Sequence, residues 1–173
     1  KPKWLTAAQK RDTYATSKGW IYKDPNTGLE EVIVAIGELS SAAKLNIADV
    51  SSVVFATTSF SEAAGGNIDV TVVYNEKITV NTSGGTPTIT VTNSQAGSGT
   101  DATFTAAYQS GTGTNKLTFR KTYAAGNGGV AENDVLSIAN QNIALNSGTL
   151  VDGEAVNAAV AIASVTDTLT ISA

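Results

Sequence analysis

The sequence predicts a mainly β protein, a two-sheet β-sandwich preceded by a small α+β docking region. Three observations carry that expectation. Thr, Ser, Asn and Gly supply 68 of the 173 residues, a composition suited to short strands and turns rather than to a helical bundle. From residue 68 onward, β-favouring runs alternate regularly with Gly, Asn and Ser. The charge is also divided: Lys1, Lys3, Lys10, Arg11, Lys18 and Lys23 face only Asp12 in the first 23 residues, a net +5, while the rest of the chain carries −9. The length fits one domain, or one small domain with an ordered appendage.

The first element expected is a helix. Thr6 and Gln9 have capping-box spacing, and Ala7 to Thr16 contains acceptable helix formers before Gly19, which is placed to end the helix in a left-handed turn. Trp20-Ile21-Tyr22 and Val32-Ile33-Val34-Ala35-Ile36 flank the turn-rich Asp24-Pro25-Asn26-Thr27-Gly28, so a β-hairpin follows. Ser40 to Asp49 is ambiguous: Leu45 and Ile47 alternate, whereas Ala42, Ala43 and Lys44 suit a helical turn. Val50 to Thr57 is strand-like. Glu62-Ala63-Ala64-Gly65-Gly66-Asn67 has linker composition, which sets a boundary between an N-terminal region, residues 1–65, and a sandwich, residues 66–173.

Within the sandwich, strands are expected at Ile68 to Tyr74, Ile78 to Val80, Thr88 to Thr92, Ala102 to Tyr108, Lys116 to Tyr123, Val135 to Ile138 and Thr166 to Ile171. Alternate side chains, such as Leu117 and Phe119, would enter the core while their neighbours face water. Gly111-Thr112-Gly113-Thr114-Asn115 then reads as a hairpin loop. The chain contains no clear internal repeat.

Cys, His and Met are absent, which removes disulfides, thiolate chemistry, Ser-His and Cys-His relays, and ordinary zinc or haem ligation. The carboxylate clusters Glu30-Glu31, Glu132-Asn133-Asp134 and Asp152-Gly153-Glu154 have no nucleophile signature beside them and read as solvated turns and edges. Calcium held between two acidic loops is the alternative for such oxygen ligands. Gly97-Ser98-Gly99 and Gly126-Asn127-Gly128-Gly129 lack the Gly-Lys-Ser or Gly-Lys-Thr ending of a phosphate loop and read as tight turns. No enzyme activity, cofactor or resident metal is therefore expected. No membrane span or export signal is expected either, since no apolar run approaches the roughly 18 residues a span needs.

Two segments resemble known families. Val72-Val73-Tyr74-Asn75-Glu76-Lys77-Ile78-Thr79-Val80 followed by Gly85-Thr86-Pro87-Thr88-Ile89-Thr90-Val91 is similar to the opening of the bacterial Ig-like repeats of large surface adhesins. Ala102 to Tyr108, Ser110 to Phe119 and Ile143 to Asp152 continue the likeness in the same order. This resemblance implies an Ig-like β-sandwich over residues 68–173. Tyr14-Ala15-Thr16-Ser17-Lys18-Gly19-Trp20 with Glu31-Val32-Ile33-Val34-Ala35-Ile36 resembles N-terminal segments of small virion structural proteins of tailed bacteriophages. Together the two imply a capsid decoration or cement protein on the virion surface, gripping the major capsid protein or another shell protein and assembling as a homo-oligomer. The adhesin likeness alone implies instead a cell-surface module that binds carbohydrate or protein.

The residues expected to dock are Lys3, Trp4, Lys10, Arg11, Tyr14, Lys18, Trp20 and Tyr22. Four of the chain's eleven aromatic residues fall in its first 22 positions, beside most of the basic ones. Large amphipathic rings supply buried area at an interface, and cations supply orientation. Nucleic acid is a poor partner for this pattern, because the cations are spaced without a repeated aromatic or Gly-rich binding motif.

Overall fold

The computed structural model describes residues 1–16, 18–35, 47–153, 155–163 and 165–172. Its first element, α1 (Ala7–Arg11), begins where the capping box places it: Gln9 N–H donates to Thr6 Oγ1 at 3.2 Å, and Thr6 N–H donates to Gln9 Oε1 at 3.0 Å. The helix ends at Arg11 instead of continuing to Thr16. Thr13, Tyr14 and Thr16 favour extended backbone, and β1 (Thr13–Thr16) pairs antiparallel with β2 (Gly19–Lys23). Gly19 thus stands opposite Thr16 in a hairpin and caps no helix. β3 (Glu30–Ala35) completes a three-stranded meander. The turn before it follows expectation: Asn26 and Thr27 N–H donate to Asp24 Oδ1 at 2.7 and 3.0 Å, and Gly28, at a φ of +72°, donates to the Asp24 carbonyl at 2.8 Å. Ile36 and most of the ambiguous Ser40 to Asp49 stretch lie outside the described residues.

β4 (Val50–Phe55), β5 (Gly66–Asn81), β6 (Thr88–Asn93), β7 (Thr103–Ser110), β8 (Thr114–Tyr123) and β9 (Val135–Ser137) follow. The short β10 (Gln141–Asn142), β11 (Thr149–Val151) and β12 (Ala161–Ile162) come next, and β13 (Thr168–Thr170) is last. The protein is mainly β. Its main sheet is barrel-like, seven antiparallel strands in the order β4-β5-β8-β7-β6-β9-β13 that close almost completely. β11 extends this sheet along the far half of β5, and β10 pairs with β12.

Alternation builds the core. Ile68, Val70, Val72 and Tyr74 from β5 meet Leu117 and Phe119 from β8, Ile89 and Val91 from β6, and Phe104 and Ala106 from β7. Phe104 and Tyr123 pack edge to face at 5.5 Å, as do Tyr108 and Phe119 at 6.0 Å. The two strands expected at Ile68 to Tyr74 and Ile78 to Val80 are one strand, because Asn75 stays tied to Asp49 by two hydrogen bonds and β11 pairs with the far half. The break appears only as a register shift against β8 between Val73 and Ile78.

The sheets do not divide at the expected boundary of residues 62–67. β4 pairs with β5 along its length, and Ala48, Val53, Phe55 and Phe60 share one core with Val72 and Leu117. The linker-like stretch is a close-fitted turn. Gly65, at a φ of +66°, donates to the Ser61 carbonyl at 3.0 Å, and a Cβ there would lie 2.5 Å from the Ala125 nitrogen.

Candidate interaction surface

The N-terminal sheet rests on the barrel through β1, and polar contacts fix the join. Lys1 Nζ donates to the Lys10 carbonyl at 2.7 Å and to the Tyr74 carbonyl at 3.2 Å. Asn115, itself buried, donates to the Arg11 and Tyr74 carbonyls at 3.2 and 3.3 Å. Asp12 forms an ion pair with Lys116. Burial pulls the Lys1 ammonium down to about 8, the charge of Lys116 adding to the effect and that of Asp12 opposing it.

Tyr14 belongs to this join. It is 2 % exposed, and Lys77 Nζ stands 4.7 Å from its ring centroid while pairing with Glu30 at 3.4 Å. Its hydroxyl makes no bond of good geometry, yet burial and the neighbouring Glu30 carboxylate raise its pKa. The ring expected to dock on a partner is therefore spent on holding the sheet to the body. A short edge sheet needs such an anchor, because three strands alone bury little apolar area.

The other expected docking residues remain at or near the surface. Lys3, Trp4 and Lys18 are exposed, and Lys10, Arg11, Trp20 and Tyr22 are half-buried. Trp20 is opposite Ala15 on one side and Val34 on the other, which lays an apolar row across all three strands of the meander. Sequence reasoning missed Leu29, Val32, Val34 and Ile47. Together with Trp4 these are the exposed large apolar side chains among the described residues, Trp4 at 67 % and Leu29 at 72 % being the most open. None lies beyond residue 47. A run such as Val32-Ile33-Val34 signals burial on both faces, whereas Val32 and Val34 are exposed in the meander.

A groove of about 630 Å³ runs along β4, walled opposite by Ala163, Val165, Thr166 and Asp167 and reaching Arg11 at one end. A second hollow of about 400 Å³, lined by Lys1, Lys10, Arg11, Ser51 and Ser52, adjoins that end. The surface around Arg11 is thus cationic and concave.

The acidic clusters do other work. Asp134 is buried and accepts from Asn93, Gly97 and Ala131, and Asp152 Oδ1 accepts from the Val156 N–H at 3.0 Å. Glu154 lies outside the described residues. Among the described residues no group of three or more acidic side chains is placed to hold a metal ion, and no helix is long and apolar enough to cross a membrane. Compared with known proteins, the chain matches no family model, no curated protein and no solved structure.

Proposed function

We propose that this is a non-enzymatic virion surface protein of a tailed bacteriophage, a capsid decoration or cement subunit whose N-terminal region grips the major capsid protein or another shell protein. In this reading the barrel-like body is an Ig-like module that projects outward. One observation carries it: every exposed large apolar side chain among the described residues falls within the first 47 positions, amid the basic side chains. A monomer gains nothing by exposing Trp4, Leu29, Val32 and Val34 to water, whereas an interface recovers that area at about 25 cal/mol per Å². The acidic body keeps neighbouring copies soluble and apart.

Many repeated contacts would stabilise a shell by mass action, since a bound subunit favours the assembled lattice over the separated parts. Such lattices are symmetric, which favours a homo-oligomer. The reading is tested by co-sedimentation with the phage particle. Trp4→Ala combined with Leu29→Ala should weaken particle binding about tenfold or more without lowering the melting temperature. Particles stripped of the protein should lose integrity at a lower temperature than decorated ones. Unchanged binding by the double variant defeats the docking assignment, and equal heat loss defeats the cementing role.

A further inference from the structure

The hollow at the end of α1 gathers cations that the chain does not neutralise. Lys1, Ala7, Lys10, Arg11, Ser51 and Ser52 line it, enclosing about 400 Å³ between the first turn, the helix and β4. Lys1 is fixed there: its Nζ donates to the Lys10 carbonyl at 2.7 Å and to the Tyr74 carbonyl at 3.2 Å, which engages two of the ammonium's three N–H groups. Lys116 stands close enough to act on Lys1 through its charge, and Asp12, which opposes that effect, is itself paired with Lys116. Lys1, Lys10, Arg11 and Lys116 against Asp12 leave a local net charge of +3.

Elsewhere the cations are spent inside the fold: Lys77 pairs with Glu30 and Arg120 with Asp69. Lys10 and Arg11 have no acidic partner among the described residues, and there neither the Arg11 guanidinium nor the Ser52 hydroxyl makes a hydrogen bond. Ser51 is the extra residue of a bulge in β4, since Val50 stands opposite Tyr74 and Ser52 opposite Val73. Its hydroxyl donates to the Val73 carbonyl at 3.0 Å, so Ser52 brings the unengaged hydroxyl to the hollow. An unpaired guanidinium in a concave, cation-rich recess matches a carboxylate in bidentate fashion. The lowered pKa of Lys1, at about 8, has the same origin, burial among like charges, and an anion beside it would relieve it.

The chain's own acidic clusters do not supply that anion, because Glu30 is paired with Lys77 while Asp134 and Asp152 are buried. We propose that the hollow is a carboxylate pocket, taking two adjacent acidic side chains of a partner protein, with Arg11 as the principal donor and Lys10, Ser52 and Lys1 in support. A long polyanion such as nucleic acid is disfavoured, since the adjoining groove carries Asp167 and the chain beyond residue 23 carries −9, whereas a short acidic segment avoids both. Trp4 adds an apolar flank: it is 67 % exposed, in the turn between Lys1 and Ala7 where Leu5 N–H donates to the Pro2 carbonyl at 3.5 Å. The segment's acidic pair should therefore be bordered by apolar side chains. The pocket rests on the docking reading only for the source of the segment, a shell protein.

The test titrates the full chain, followed by amide NMR, with the capped peptide Gly-Ser-Leu-Asp-Asp-Leu-Ser-Gly and with a control in which Asn-Asn replaces Asp-Asp. The acidic peptide should shift the Arg11 and Ser52 amides with a Kd of ~1 mM, and the Asn-Asn control and the Arg11→Gln variant should each weaken binding about tenfold. Lys121→Gln, which removes the same charge towards the other end of β8 from Lys116, should leave binding unchanged. Arg11→Gln keeps a good helix former and the Arg11 carbonyl that Asn115 uses, so its circular dichroism should match the parent. Absence of shifts at Arg11 and Ser52, equal binding of the two peptides, or equal losses from Arg11→Gln and Lys121→Gln overturns the proposal. Tighter binding of inorganic phosphate, or of an oligothymidylate of about eight nucleotides in ~0.15 M salt, overturns it by giving the hollow to phosphate groups. A dimer in sedimentation that Arg11→Gln dissolves overturns it by assigning the hollow to a second copy. Particle binding without peptide binding defeats the pocket and keeps the docking reading. Peptide binding without particle binding keeps the pocket and defeats that reading.

Discussion

Asp134 accepts hydrogen bonds from the Gly97 N–H at 2.7 Å, Asn93 Nδ2 at 2.7 Å and the Ala131 N–H at 2.9 Å, and it is fully buried. Burial favours the neutral acid, but the combined donors outweigh it and hold the carboxyl below its ordinary 3.8. With the folded pKa beneath the unfolded one, the carboxylate's stabilisation is complete above 3.8 and disappears as pH falls through the folded value. Asp134→Asn replaces one acceptor by a donor that faces donors. It should cost about 1–3 kcal/mol at pH 7 and flatten the acid limb of the stability curve. Urea unfolding at pH 7 and at about pH 3 measures both effects, and an acid limb as steep as that of the parent would refute this account. The loop over Asp134 also shows why two glycine segments that look alike in sequence differ. Gly126 and Gly128 take positive φ values of 64° and 74°, whereas a Cβ at Gly97 would overlap the Glu132 carbonyl, so that glycine serves close approach rather than turning.

At the scale of elements, α1 is the weakest unit, five residues with none buried, and its cap supplies much of its order. Thr6→Ala should cost about 1 kcal/mol locally. The expected readout is faster amide exchange at Gln9 and Lys10 with the melting temperature nearly unchanged; slower or equal exchange would show that packing alone holds the helix. The capping box, the Asp24 to Gly28 turn and the Gly111 to Asn115 loop were legible because local chemistry decides them within a few residues. Most longer strands were legible for a related reason, since alternation along β6 and β8 records which side chains enter the core. β10, β11 and β12 were not, being only two or three residues long and defined by partners far away in the chain. The candidate site divides the same way. Its cations and rings stand in the sequence, but the burial of Tyr14 depends on Lys77 and the groove on Ala163, Val165, Thr166 and Asp167 meeting β4. Spacing along the chain carries neither fact.

Over the whole molecule, the decisive feature is that β4 lies on the far side of a linker-like segment from the strands it completes. Deleting residues 1–65 would remove Ala48, Val53, Phe55 and Phe60 from a shared core and leave one edge of β5 bare. Large core side chains contribute about 2–5 kcal/mol each, against a total stability of about 5–15 kcal/mol. Residues 66–173 alone should therefore fail to fold cooperatively, giving a broad thermal transition and weak amide protection at Val72 and Leu117. Beginning the chain at residue 47 instead retains all four core residues and should restore a sharp transition at a lower temperature, because Tyr14 and Lys1 no longer cover β5 and the Tyr74 carbonyl. A sharp, parent-like transition from residues 66–173 would show that the body closes without β4. Both outcomes can be read from calorimetry and hydrogen exchange on the two truncated chains.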